Sequence, residues 1–126
     1  MMVLMIAIGG ALGAVARYLL VTGAARLLGG GFPYGVMAAN VLGSFAMGIA
    51  VAVLIDRASS GPHWAAPLLM TGFLGGFTTF SAYSLDAYLL AEGGRWGAFV
   101  GYTAGSVVLS FIALAAGITL ARGLGG

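Results

Sequence analysis

The amino-acid sequence predicts an all-α membrane protein of four transmembrane helices, the third of them broken. Three observations carry that reading. Hydrophobic residues make up 61% of the 126 and charged residues only 6%. A soluble domain carries about 25% charged residues, so this chain cannot cover itself in water. Charges and turn residues divide it into four apolar runs, 2–21, 34–55, 64–85 and 96–121, each reaching the ~20 residues that cross ~30 Å of hydrocarbon. The third run holds Gly72-Phe73-Leu74-Gly75-Gly76-Phe77-Thr78-Thr79-Phe80-Ser81, in which glycines and hydroxyls alternate with phenylalanines.

Taken in order, the first run starts at the N-terminus without a basic leader region or an A-x-A site, and is expected to stay as a span. The connector Gly29-Gly30-Gly31-Phe32-Pro33 ends it, and Tyr34 opens the second run. Asp56 to His63 form the second connector, with Trp64 behind it; Glu92-Gly93-Gly94-Arg95 form the third, with Trp96 behind it. Aromatic rings at span ends favour the membrane interface, and His63 between Pro62 and Trp64 reads as interfacial rather than as a ligand. Connectors this short make consecutive helices antiparallel neighbours in one domain, 1–126.

The glycine-rich segment has two readings. Lipid supplies no hydrogen bonds, so irregular backbone survives there only when buried in protein or lining a watery cavity. Glycines allow a break, and a break turns backbone carbonyls and amides into ligands. Alternatively they form a packing face that lets another helix approach.

All five basic residues are arginines. Arg57 and Arg122 fall on the side of the N-terminus, Arg26 and Arg95 on the other, and Arg17 lies within the first run. The bias that normally fixes orientation is absent. That balance permits insertion both ways and pairing with an inverted copy; the alternative is a small sample that happens to balance. Small residues recur four apart at Gly9/Gly13, Ala39/Gly43, Gly72/Gly76 and Gly97/Gly101/Gly105, which predicts close helix crossings and a homo-oligomer. Cysteine is absent, excluding disulfides and thiolate sites. No basic patch exists to bind nucleic acid.

Asp56 and Glu92 lie in connectors and Asp86 at the edge of the third run, leaving no carboxylate at mid-membrane. Proton- and cation-coupled transporters use such a group. A small multidrug-type antiporter needs a glutamate in its first helix, and residues 1–18 contain none. No nucleophile–base–orienter set can be assembled, so an enzyme is not expected. The spans carry neutral donors instead: Asn40 and Ser44 on the second, Thr79 and Ser81 on the third, and Tyr102, Ser106 and Ser110 on the fourth at i, i+4, i+8. Phe80 and Tyr83, three apart, share a face. Taken singly these are interhelical glue, as in a non-transporting assembly subunit; together, with no buried negative charge, they suit an anion path. Arg17 reads either as an interfacial anchor or as a vestibule residue that concentrates anions.

Three motifs, Gly10-Ala11-Leu12-Gly13-Ala14-Val15-Ala16-Arg17-Tyr18, Asn40-Val41-Leu42-Gly43-Ser44-Phe45-Ala46-Met47-Gly48 and the 72–81 segment, resemble the small fluoride channels of the Fluc or CrcB family. The resemblance spans nearly the whole chain. It implies an antiparallel, dual-topology homodimer in a bacterial inner (plasma) membrane, passing fluoride out by electrodiffusion and so conferring fluoride resistance. It implies that Asn40, the ring edges of Phe80 and Tyr83, and the hydroxyls of Tyr102, Ser106 and Ser110 line the pore, with Arg17 at the vestibule. It also implies a structural sodium ion (Na+) at the dimer centre, held by the backbone carbonyls of Gly75 and Thr78. The family usually carries phenylalanine where this chain has Tyr83.

Overall fold

A computed structural model describes residues 1–56 and 62–124; the 57–61 part of the second connector, Arg57 included, lies outside the described residues. Every regular element among the described residues is helical. Helix α1 (Met2–Leu28) continues past the first apolar run to end at Gly29, whose φ of 83° suits glycine. Arg26 therefore sits in its last turn, where a cation favours the helix dipole. Helix α2 (Tyr34–Ala50) follows Pro33 and winds into a π-helical turn, Val51–Ile55. A π-helical stretch, Pro67–Leu74, runs into the short α-turn Gly75–Phe77, and the two together form α3. Thr78 is then extended, with φ −88° and ψ 157°. Helix α4 (Ser81–Glu92) follows, and α5 (Trp96–Leu124) completes the chain.

Among the described residues three helical stretches, Met2–Leu28, Tyr34–Ile55 and Trp96–Gly123, are long and apolar enough to cross a membrane. They make the chain an integral membrane protein. Their outer faces are apolar: Leu12, Leu19, Phe111 and Ile112 are all exposed, as lipid-facing residues should be.

Glycine sets the closest crossings. A methyl group at Gly9 would lie 3.0 Å from the Cα of Gly72, and one at Gly76 would lie 3.1 Å from the Cα of Gly10. Contacts under 3.0–3.4 Å force a backbone to shift, so α1 and α3 touch main chain to main chain. Two of the small-residue pairs expected to mediate crossings, Gly9/Gly13 and Gly72/Gly76, therefore face one another within the chain. Gly48 of α2 and Gly117 of α5 make a second crossing of the same kind. Gly97 and Gly101 do not: a methyl group at either meets open space.

Helix α4 packs differently. Its C-terminal half buries Ala87 and Leu90 against Val36 of α2 and Tyr102 of α5, with Phe32 and Tyr83 at the margin. Tyr102 is the one large side chain that is completely enclosed among the described residues.

Candidate functional site

The interruption between α3 and α4 opens one wall of a cavity of about 460 Å³. Asn40, Ser44 and Met47 line it from α2, Thr78, Thr79 and Phe80 from the interruption, Tyr83 from α4, and Ser106 and Ser110 from α5. No charged side chain among the described residues reaches it. Gly43, one turn on from Asn40, leaves the room this arrangement needs, since a methyl group there would overlap Thr78 and approach the Phe77 ring at 3.3 Å.

Backbone groups at the interruption are served by side chains from two other helices. Asn40 accepts a hydrogen bond from the Thr79 N–H at 2.8 Å and donates from Nδ2 to the Thr79 carbonyl at 3.0 Å. Arg17 donates from Nε to the Gly76 carbonyl at 3.2 Å, a cation at the C-terminal end of α3, where the helix dipole favours one. The Thr78 N–H and its hydroxyl both donate to the Leu74 carbonyl at 3.0 Å. On the far side, the Ala82 N–H donates to Thr79 Oγ1 at 3.2 Å, capping α4.

The aromatic residues divide. Phe80 and Tyr83 stand with ring centroids 5.6 Å apart and planes tilted 40°. Phe80 is 77% exposed, in contrast to the enclosed Tyr102. The Tyr83 hydroxyl turns away towards α5 and donates to the Thr103 carbonyl at 2.8 Å. The Tyr102 ring lies 5.2 Å from that of Tyr83, tilted by 36°, and its hydroxyl donates to Asp86 Oδ2 at 3.2 Å. Asp86 itself lines a second cavity of about 340 Å³, bounded by Gly29–Gly31, Phe32 and Arg95, whose guanidinium binds the Gly31 carbonyl.

Among the described residues, Ser106 carries the one buried side-chain polar atom left unserved. It is 3% exposed, and its hydroxyl has no hydrogen-bond partner. A buried hydroxyl in that state costs about 1–3 kcal/mol, and this one lies in the wall of the larger cavity.

The structure thus brings Asn40, Phe80, Tyr83, Ser106 and Ser110 together around one space, with Thr78 beside them. Tyr102 stands one layer behind, between the two cavities, and Arg17 meets the interruption from the α1 side. Sequence reasoning pointed to these side chains but missed their partners: Thr79 for Asn40, Gly76 for Arg17, Thr103 for Tyr83 and Asp86 for Tyr102. Three of those partners are backbone groups, which carry no residue-type signal.

Fold and cavity together define a small, all-helical integral membrane protein with an uncharged, hydrogen-bonding interior at a chain interruption. Its sequence matches the profile described as CrcB-like protein, Camphor Resistance (CrcB), over residues 4–118, and the chain belongs to that family. Among its relatives, the fluoride-specific ion channel FluC of Cereibacter sphaeroides is 54% identical over 120 residues, covering 95% of this chain and 94% of the relative. The proteins of the same name from Phenylobacterium zucineum and Paracoccus denitrificans are 51% and 50% identical, each covering at least 94% of both chains.

Proposed function

We propose that this chain is a fluoride-selective channel of the bacterial inner membrane, releasing cytoplasmic fluoride down its electrochemical gradient. The observation that carries the reading is the uncharged cavity around Ser106, whose buried hydroxyl lacks a partner among the described residues. Fluoride is small and strongly hydrated, so a path for it must replace several water hydrogen bonds at once. Neutral donors do this while holding the ion loosely enough to let it leave. Ser106, Ser110 and the unspent Nδ2 hydrogen of Asn40 are such donors. The edges of Phe80 and Tyr83 carry the positive part of the ring quadrupole. Arg17 concentrates anions at the approach, and Tyr102 borders the path through its ring, packed 5.2 Å from Tyr83, since its hydroxyl is spent on Asp86. The names of the relatives agree with this ion.

In this reading the segments α3 and α4 form one transmembrane unit broken at Thr78–Phe80, and the working protein is a dual-topology homodimer of antiparallel copies. Exposure of Phe80 supports a second copy. The donor set also fits a structural Na+. Around the interruption hydrogen bonds fall on the Leu74, Gly76, Thr79 and Phe80 carbonyls, and the Gly75 and Thr78 oxygens are among those open to a hard cation, which prefers oxygen ligands. Gly75 and Thr78 of each copy would hold the ion, and it would supply charge to anchor the two interruptions together.

Efflux from liposomes loaded with fluoride or chloride, read by ion-selective electrodes in the presence of a potassium ionophore, tests the function. Fluoride is expected to leave rapidly and chloride to stay. Equal rates would overturn the proposal. Asn40→Asp is expected to abolish fluoride flux by placing a negative charge in the path.

A further inference from the structure

We infer that Asn40 is a positioning residue that splints the chain interruption, standing in for the helical partners that Thr79 has lost. Thr79 lies between α3 and α4, so neither its N–H nor its carbonyl joins a helix ladder. Each such group left unpaired in hydrocarbon costs several kcal/mol. The Asn40 carboxamide meets both, accepting at 2.8 Å and donating at 3.0 Å. An amide presents an acceptor and a donor side by side in this way, as an ionised carboxylate does not. Glutamine would reach too far by one methylene, serine offers a single atom, and aspartate would set a second acceptor against the Thr79 carbonyl. The helix that carries Asn40 is shaped for the task. Ala39 is fully buried, and Gly43, on the same face, lets Thr78 and Phe77 come against α2.

The position of Thr79 decides more than itself. Its hydroxyl caps α4 through the Ala82 N–H, so the splint sets where α4 begins and where Phe80 and Tyr83 stand. That Asn40 influences flux through these rings, and not only through contact with the ion, rests on the channel reading; the splint itself does not.

Amide hydrogen exchange at single-residue resolution, on the ion-free protein in nanodiscs, tests the splint without reference to transport. In the unaltered protein the Thr79 amide is expected to exchange about tenfold or more slowly than its neighbour Phe80, whose N–H has no partner among the described residues. Asn40→Ala is expected to erase that difference. Asn40→Asp, which keeps the acceptor, is expected to retain slow exchange at Thr79 while losing fluoride flux. Equal exchange of Thr79 and Phe80 in the unaltered protein would overturn the inference, and needs no variant to fold. So would Asn40→Ala with flux lost and Thr79 still protected, which would make Asn40 a ligand alone. Failure of the unaltered protein to pass fluoride would instead remove the channel reading and leave the splint standing.

Discussion

The hydroxyl of Tyr83 is bonded to the backbone of Thr103, 2.8 Å away on the next helix. The phenol therefore ties α4 to α5 while Tyr83 still borders the cavity. Tyr83→Phe is expected to lower stability by about 1 kcal/mol, the net worth of one such bond, with fluoride still preferred over chloride. Thermal unfolding in detergent and paired efflux assays check the two halves. A collapse of selectivity would mean that the hydroxyl meets the ion.

Ser106 invites the opposite kind of substitution. Because its buried hydroxyl has no internal partner, Ser106→Ala should leave stability unchanged or raise it by about 1 kcal/mol. Fluoride efflux should nonetheless fall, on the order of tenfold for a lost ~1.4 kcal/mol contact in the path. Unaltered efflux would remove Ser106 from the route.

Arg17 offers its charge and one directed hydrogen bond, to the Gly76 carbonyl. Lysine keeps the charge but lacks the guanidinium's fixed geometry. Arg17→Lys should retain the salt dependence of fluoride entry yet unfold at lower temperature than the unaltered protein. Arg17→Gln should lose both. A Lys variant of full thermal stability would reduce Arg17 to an electrostatic role.

The glycines separate into two groups with different expected costs. Gly117→Ala drives a methyl group against the Phe45 carbonyl and to 3.1 Å from the Ile49 nitrogen, and should destabilise by about 1–3 kcal/mol. Gly97→Ala enters open space and should be neutral or stabilise α5 by up to ~1 kcal/mol. Unfolding curves and size-exclusion profiles distinguish them. A Gly97→Ala variant that dissociates into monomers would reveal a second copy packed on that face.

Composition and run length made the helical, membrane-embedded class legible, because burying nothing but apolar surface in lipid leaves few alternatives. The stripe of Ser106 and Ser110 was equally legible, since a helix puts every fourth residue on one side. Tyr102 belongs to the same stripe by spacing, yet its long side chain carries the hydroxyl past the cavity to Asp86. Spacing fixes where a side chain starts and not where it ends. Asn40's pairing with Thr79 bridges 39 positions, and its partner is main chain, so no residue pattern announces it. The glycine stripe on α5 resembled those on α1 and α3 in sequence, and only the packing separates the occupied pairs from Gly97 and Gly101.

The α1–α3 and α2–α5 crossings have a mechanical consequence. Where main chain rests on main chain there is little left to compress, so those four segments form a stiff frame. The first turns of α4 hang from that frame by the side chains of Asn40 and Tyr83. That attachment rests on side chains where the frame rests on main chain, and it carries Phe80 and Tyr83.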